Sequence, residues 1–432
     1  MAGIETTATL GETAIGSENR KKTCPLGLAL VIALATASSA QAEPMTFEVA
    51  LSRSRANAPS IEAERLGIDA SRAARRAAGA LPDPKLFVGI DSFPISGPLA
   101  FKPSRDDFTG VRVGISQDVP NPAKRQAQRT RANAEIAVAE AEWVREGRTV
   151  EIEAAVAWIT LAYAQKRLAA VDAARSGLAG LIRSTPGAVA SGNARPAQTL
   201  AGKQSIAQLN DRRDELVAAV NQARAVLRRW TGDAAPTIAG PVPDFTIDAA
   251  ALRMAIDSNP LLVPAAARVG RAGADVRLAE AERRPDFGVE ASYQHRDPRF
   301  GDYVSAGVTV GLPFFTRRRQ DALIAERQAE VLKAAAEREA ERRAIAANLE
   351  AGLADHAMHH EQWMRSLKRL EPLARERVDL ETASYGAGRA SLVDVVDARV
   401  ALVEAMLLTL DREAIVEIDG ARLTFTYRSA AR

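Results

Sequence analysis

The stretch that decides the fold is LPDPKLFVGIDSFPISG (residues 81–97), a proline-led phrase in a chain otherwise rich in alanine, arginine, glutamate and leucine. Every second residue from Leu86 to Ile90 is a branched aliphatic, which predicts a β-strand with one apolar face. The same kind of phrase, RRPDFGVEASYQH (residues 283–295), follows another helical run much later in the chain. The two copies require a common explanation.

An internal duplication of the chain explains the two similar strand phrases. Laid on itself, the chain matches Leu51 with Leu252, Pro59 with Pro260 and Pro84 with Pro285, and further on GVRVGI (110–115) matches GVTVGL (307–312). The Pro- and Gly-rich segment TGDAAPTIAGPVPDF (231–245) reads as the linker between the copies. The sequence therefore predicts repeats at 43–240 and 241–432, each with a helix, a strand hairpin (86–116 and 287–312) and a long helical hairpin.

The amino-acid composition favours long helices. Apolar residues make up 47% and charged residues 26% of the 432 residues, but aromatic residues only 5%. Basic and acidic residues are nearly balanced at 57 and 54, and they are spread through the helical segments. We therefore expect a mainly α protein with some β-structure and no nucleic-acid partner.

The N-terminal region has the pattern of a secretory signal peptide. In RKKTCPLGLALVIALATASSAQAEP (20–44), a basic start precedes an apolar core, and Ala40-Gln41-Ala42 forms a small-x-small cleavage site. The sequence predicts that residues 1–42 are removed. The single cysteine, Cys24, lies in this part, so the mature chain is expected to have no disulfide.

The helices that follow the hairpins are unusually long. They are predicted from Pro122 to about residue 190 and from Thr316 to about residue 385, and about 70 residues correspond to roughly 100 Å. Such a helix is expected to be a coiled-coil arm or a tube wall. Apolar residues in 3,4 spacing from Val393 to Ala414 predict a seam with a neighbouring helix, while Pro186 and Pro372 predict kinks.

The strands predict oligomerisation. Exposed sheet edges are not tolerated in lipid, and four strands cannot close alone. Two copies would give eight strands and a filled interior, whereas three would give twelve and a bore. Because the alternate faces carry mainly Gly, Ser, Thr, Glu and Gln, we prefer three copies around a water-filled lumen.

The chain resembles the TolC-type outer membrane efflux proteins, and within them the heavy-metal branch of Cus and Czc systems. The resemblance is carried by the duplication, by DPKLFVGIDSFPISGP (83–98), FTGVRVGISQDVPNPAKRQ (108–126) and VTVGLPFFTRRRQ (308–320), and above all by SYGAGRASLVDVVDARVALVEA (384–405). It implies a homotrimer in the outer membrane of a Gram-negative bacterium, with a twelve-stranded β-barrel that is continuous with a periplasmic helical tunnel. It also implies contact with outer membrane lipid and, as partners, a periplasmic adaptor (membrane fusion) protein and an inner-membrane RND pump.

By the same resemblance, Tyr385, Gly388 and Arg389 lie at the second helical tip, where the family has its gate. Asp394 and Asp397, three residues apart, lie on one face of the returning helix, where threefold symmetry would repeat them as cation-holding rings. Alternatively, they complement the helix dipole of a first turn. The first tip, SGNARPAQT (191–199), places Gly192 and Asn193 in the corresponding turn.

Three of the four histidines fall in DHAMHHEQWM (355–364). His356, His359 and His360 share a helical face, which makes them candidate ligands for copper, silver or zinc, or simply a solvated or packed face. We find no motif for catalysis or for a cofactor, so we expect neither an enzyme nor a bound cofactor.

The expected function is a passive exit duct of a tripartite efflux system for heavy-metal cations. A duct for drugs or other small organic molecules, or one in type I secretion, is an alternative. A periplasmic adaptor is a further alternative, but it should have one helical hairpin flanked by β-rich domains and not two tandem units. A soluble coiled-coil scaffold would not need matched strands in both repeats, and a diffusion porin would be nearly all strand.

Overall fold

The computed structural model describes residues 44–183 and 196–428 of the chain. The predicted signal peptide (1–42), the first tip with Gly192 and Asn193, and Pro186 lie outside these residues. The elements, in order, are α1 (Phe47–Asn57), α2 (Pro59–Ala77), β1 (Lys85–Asp91), β2 (Gly110–Val119), α3 (Pro122–Arg183), α4 (Pro196–Thr231), α5 (Ala249–Met254), α6 (Val263–Ala281), β3 (Asp286–Arg296), β4 (Tyr303–Gly311), α7 (Gln320–Arg365), α8 (Glu371–Gly386) and α9 (Leu392–Tyr427).

The four strands form one antiparallel sheet in the order β1-β2-β3-β4. The two predicted hairpins, 86–116 and 287–312, are observed at 85–119 and 286–311. They are joined side by side, because β2 pairs with β3 from Gly110↔Arg296 to Val119↔Phe287. Among the described residues, the outer edges of β1 and β4 have no strand partner. The predicted mainly α fold with four strands per chain is confirmed.

The largest core cluster lies midway along the helices. Trp158 of α3 is fully buried and donates its indole N–H to the Met45 carbonyl oxygen at 3.0 Å. The Phe47 ring packs edge-on against it with the ring centroids 5.6 Å apart, and Phe245 and Phe425 complete the aromatic cluster. This cluster fixes the linker and the N-terminal segment to α3 and α9.

A second cluster continues the core toward the tip of the helical hairpin. Three residues of the predicted α9 seam, Val396, Val403 and Leu407, pack here against α3 and α4. The buried members of the cluster are Val171, Leu178, Leu209, Leu216, Leu392, Val396, Val403 and Leu407. The 3,4 spacing in the sequence thus marks a buried helix face, as coiled-coil packing requires.

The second long helix, predicted over residues 316–385 with a kink at Pro372, has an irregular turn directly before that proline. It begins at Gln320, and a π-helical turn at Ser366–Leu370 separates α7 from α8. Pro372 explains the position of this turn, because its ring has no N–H and clashes with the carbonyl group four residues earlier. At the start of this turn the Gln362 carbonyl oxygen accepts from the Ser366 N–H and, at 3.1 Å, from Arg412 of α9, which also donates to the Ser366 hydroxyl.

Candidate functional site: the open sheet and the helical tip

One face of the sheet is apolar and exposed. The cross-strand register places alternate residues of all four strands on this face, among which Gln117 and His295, toward the two ends of the sheet, are polar: Leu86, Val88, Ile90, Val111, Val113, Ile115, Gln117, Val119, Phe287, Val289, Ala291, Tyr293, His295, Val304, Ala306, Val308 and Val310. Leu86 is 74%, Val304 81% and Val308 71% exposed. A soluble protein rarely exposes so continuous an apolar surface, so this face is suited to lipid.

The opposite face is polar and is organised around Arg112 of β2. Its Nε donates to the Ser292 hydroxyl at 2.9 Å, and its terminal nitrogens lie 3.7 Å from carboxylate oxygens of Asp91 and of Glu290. The guanidinium also lies over the Phe87 ring, 5.4 Å from its centroid. Charges of both signs on this face are compatible with water but not with lipid. The sequence did not identify Arg112, because the pairing of β2 with β3 cannot be inferred from either repeat alone.

At the end of the sheet remote from the helices, Arg296 connects the two hairpin loops. It is 5% exposed, and its guanidinium donates to the carbonyl oxygens of Gly301 at 2.7 Å, of Phe300 and of Asp107. The same group lies 3.6 Å from the centroid of the Tyr303 ring. Nothing in the sequence pattern distinguishes Arg296 from the many other arginines.

At the other end of the sheet, Asn121 connects the two repeats. This side chain is 3% exposed; its Oδ1 accepts from the Lys124 N–H at 2.8 Å, which caps α3. Its amide nitrogen donates to the Asp286 carboxylate at 2.9 Å, at the start of β3, and to the Ala281 carbonyl oxygen at 3.2 Å. One side chain therefore fixes both the exit from β2 and the entry to β3.

The second helical tip is a turn between α8 and α9. Gly388 has a φ of 71°. Its N–H donates to the Tyr385 carbonyl oxygen at 3.0 Å, and the Arg389 N–H donates to the Ser384 carbonyl oxygen at 2.8 Å. This pair of bonds is the Schellman motif that ends helices at a left-handed residue. The Tyr385 side chain packs against the second core cluster, while Arg389 is exposed.

Helix α9 begins with a capping box. The Ser391 hydroxyl accepts from the Asp394 N–H at 3.3 Å, and the Asp394 carboxylate accepts from the Ser391 N–H at 2.7 Å. These bonds lower the pKa of Asp394 below its usual value. Asp394 and Asp397 are both exposed, whereas Val395, Val396 and the next turn face the core. Within one chain, the capping role of Asp394 is therefore present, and both carboxylates remain available on the outer face.

The predicted histidine cluster is divided. His359 Nδ1 lies 2.7 Å from an Asp419 carboxylate oxygen of α9. The rings of His356 and His360 are 6.5 Å apart, and burial is the main cause that lowers the pKa of His356. Across residues 44–183 and 196–428, no three His, Cys, Asp or Glu side chains are arranged to hold a metal ion. The helical spacing correctly predicted that the three imidazoles lie near one another. It could not predict that Asp419, on α9, binds the imidazole of His359.

Within the described part of the chain, no helix combines the length and the apolar character needed to cross a membrane. The geometry combines an open sheet that has one apolar face with long helices at one end of the sheet. Comparison with known proteins gives a match to one family. Residues 251–426 match the model of the family described as outer membrane efflux protein.

Individual proteins agree with this match along most of the chain. The cobalt-zinc-cadmium resistance protein CzcC of Cupriavidus metallidurans is 22% identical over 378 residues, which are 85% of this chain and 86% of CzcC. A crystal structure of a membrane protein from Pseudomonas aeruginosa superposes with a TM-score of 0.75 at 16% identity and covers 88% of this chain and 90% of its own. Crystal structures of CusC give 0.72 at 13% identity, with 89% and 92% covered.

The second part of the chain, residues 251–426, thus matches the outer membrane efflux protein family, and the TolC-type resemblance predicted from the sequence is confirmed. Its homologues are outer membrane efflux channels with a periplasmic tunnel, and their family consists of passive channels and not of enzymes, as the sequence predicted. Family members form trimeric channels that work with adaptor proteins and RND pumps.

Proposed function

We propose that three copies of this chain form a passive exit duct for heavy-metal cations. In this duct, β4 of each copy pairs with β1 of the next, and the resulting twelve strands continue into a tunnel built from the long helices. The observation that carries the proposal is the sheet with an exposed apolar face, a charged opposite face and two edges that pair with no strand of residues 44–183 and 196–428. In lipid, each unpaired backbone group at such an edge costs several kcal/mol. Pairing with the edge strands of identical copies removes this cost.

We further infer that the duplication sets the architecture. Each repeat, 43–240 and 241–432, contributes one hairpin to the barrel and one helical hairpin to the tunnel, so three chains provide six similar units. The partners are a periplasmic adaptor that contacts the helical tips and an inner-membrane RND pump that supplies the driving force.

The choice of metal cations is supported by the similarity to CzcC, whose name specifies cobalt, zinc and cadmium resistance. It is supported independently by the exposed Asp394 and Asp397 at the start of α9. Repeated three times around an axis, they form two rings of carboxylates at the tip, with Tyr385, Gly388 and Arg389 in the adjoining turn. Carboxylate rings select cations in many channels. A metal site at His356, His359 and His360 is not needed for this function.

The rings can be tested by single-channel recording in planar bilayers, with Co²⁺ or Zn²⁺ added on the side of the helices. Replacing Asp394→Asn together with Asp397→Asn removes the charges while leaving oxygens that can still cap the helix. We expect the concentration of metal that half-blocks the current to rise at least about tenfold. A matched variant with Asp355→Asn and Glu361→Gln neutralises two exposed carboxylates away from the tip.

Unchanged block in the tip variant, or an equal change in the matched variant, would contradict the rings. The transported solute needs a separate test. Deleting the gene from its native host should raise sensitivity to Co²⁺, Zn²⁺ or Cd²⁺. Increased sensitivity to organic drugs alone would favour the drug duct instead.

A further inference from the structure

The junction between β4 and α7 exposes both aromatic rings and positive charge. Phe314 and Phe315 follow the last strand directly, and each is 78% exposed. Arg317, Arg318 and Arg319 come next and are also exposed. We call residues 314–319 the Phe-Arg segment. It lies at the end of the sheet from which the long helices start, so it faces the periplasmic side of the membrane.

The arginines of the Phe-Arg segment differ from other cations at this end of the sheet. Lys85 lies 2.7 Å from Asp118, Lys124 lies 3.2 Å from Asp286, and Arg283 lies 2.6 Å from Asp321. By contrast, within residues 44–183 and 196–428 no carboxylate forms an ion pair with any of the three arginines of the segment. Within the described part of one chain, these three adjacent cations therefore have no carboxylate that neutralises them.

The first repeat shows that this exposure does not follow from the topology. The junction in the first repeat is NPAKRQ (121–126), and it corresponds to FFTRRRQ (314–320) in the second repeat. Asn121 is buried and caps α3, Lys124 pairs with Asp286, and Arg125 donates to the Gly79 carbonyl oxygen at 2.8 Å. The first junction is thus closed by contacts within the chain, while the second presents its rings and charges outward.

Exposed aromatic rings beside cations have a known preference at membranes. Aromatic side chains concentrate at the boundary between the hydrocarbon and the headgroups. Arginine binds phosphate oxygens through its planar fork of donors, and basic clusters attract anionic lipids. We propose that the Phe-Arg segment is a binding surface for anionic phospholipid headgroups in the periplasmic leaflet of the outer membrane. The two rings enter the acyl boundary and the three guanidinium groups bind phosphates.

The direct test measures lipid selectivity of the full-length protein in liposomes of phosphatidylethanolamine with a minor fraction of phosphatidylglycerol. Electron spin resonance of spin-labelled lipids gives the motionally restricted fraction of each lipid at the protein surface. We expect the wild type to prefer phosphatidylglycerol by about fivefold, and high salt to abolish the preference. The triple variant Arg317→Gln, Arg318→Gln and Arg319→Gln should lose it.

A control variant with Arg338→Gln, Arg369→Gln and Arg377→Gln removes the same charge from exposed positions on the long helices and should keep the preference. No preference in the wild type, or equal preference in both variants, would overturn the proposal. So would dissociation of the oligomer in the first variant without loss of lipid selectivity, because the arginines would then bind a neighbouring copy.

The aromatic part has its own readout. A Phe314→Trp variant, compared with the unsubstituted protein, should add indole fluorescence that is strongly quenched by phospholipids brominated near the headgroup end of their acyl chains. Failure of brominated lipids to quench this added emission would show that position 314 does not contact the membrane. This measurement does not require conduction or metal binding, so it separates the lipid surface from the proposed transport.

Discussion

Arg112 shows at the scale of one residue how the two faces of the sheet are kept distinct. Its neighbours on β2, Val111 and Val113, are on the apolar face, while Arg112 itself contacts Ser292, Asp91 and Glu290 on the other. An arginine on the lipid face would be costly, but on a water-filled side it is both solvated and paired. Because successive side chains of a strand point to opposite faces of the sheet, residues of β2 alternate between the lipid side and the water-filled side.

Gly388 is the residue whose conformation is most specifically required at the tip. Its φ of 71° is unfavourable for any residue with a Cβ atom, although a Cβ would meet no atom within 4 Å. Gly388→Ala should therefore destabilise the turn through backbone strain alone, by about 1 kcal/mol. Hydrogen exchange of the Arg389 amide, which donates to Ser384, should accelerate roughly fivefold.

Gly386 provides the control for this substitution. It ends helix α8, and a Cβ there also meets no atom within 4 Å, but its φ is not positive. Gly386→Ala should leave exchange at the tip unchanged or slow it, because alanine favours the helix. If both alanine variants behave alike, the left-handed turn is not what holds the tip.

The capping box makes the tip sensitive to acid. Because its hydrogen bonds with Ser391 lower the pKa of Asp394, this carboxylate stabilises the folded tip above its unfolded pKa, and the stabilisation is lost as the pH falls through its folded pKa. A nitroxide on an Ala387→Cys variant should become more mobile as the pH falls below about 4. With Asp394→Asn added, the mobility should depend little on pH, and an unchanged acid transition in that variant would assign it to another group.

At the scale of the elements, the side chain of Asn121 links the end of β2 to the starts of α3 and β3. Asn121→Ala removes the cap of α3 and the buried side-chain donor to the Ala281 carbonyl oxygen and to the Asp286 carboxylate, which keep only the backbone N–H groups of Arg284 and of residue 121 and the Lys124 ammonium group. We expect a loss of about 2–3 kcal/mol in the free energy of unfolding. Denaturant titration in detergent, followed by circular dichroism, measures this loss.

Asn133→Ala is the matched control on the same helix, because Asn133 is exposed and accepts only from Arg75. It should cost no more than about 0.5 kcal/mol. Equal effects of the two substitutions would mean that the buried network of Asn121 is not a structural link between the repeats.

Sequence patterns predicted the elements well where a single period governs them. Alternation placed each strand within three residues of its observed bounds, and the 3,4 spacing from Val393 to Ala414 identified the buried face of α9. Contacts between distant segments were not predictable. The pairing of β2 with β3, the contact of Arg412 with the π-helical turn and the engagement of His359 by Asp419 all join residues from separate elements.

The candidate site was predictable to a similar extent. The exposed positions of Asp394 and Asp397 follow from helix periodicity, and the glycine-containing turn is visible in the sequence as YGAGRAS (385–391). The capping bond of Asp394 and the buried roles of Asn121 and Arg296 depend on three-dimensional neighbours, which local periodicity does not contain.

For the molecule as a whole, the decisive property is that one chain provides a sheet without closing it. The apolar face is suited to lipid, and the two edge strands have no strand partner among residues 44–183 and 196–428. The match to the outer membrane efflux protein family accounts for both features, since members of that family form trimeric channels.

The most direct test of this closure is a disulfide between β1 and β4. In one chain these strands are separated by three inter-strand spacings of about 4.8 Å, or roughly 14 Å, which exceeds the reach of a disulfide. Cysteine at Val88 combined in turn with cysteine at Val304, Ala306 or Val308 should, in one of these pairs, yield on oxidation in membranes a covalent species of three chains on a denaturing gel. Single-cysteine variants should give no such species. A chain that stays monomeric in every pair, or a ladder that extends beyond three copies, would contradict the closed trimer.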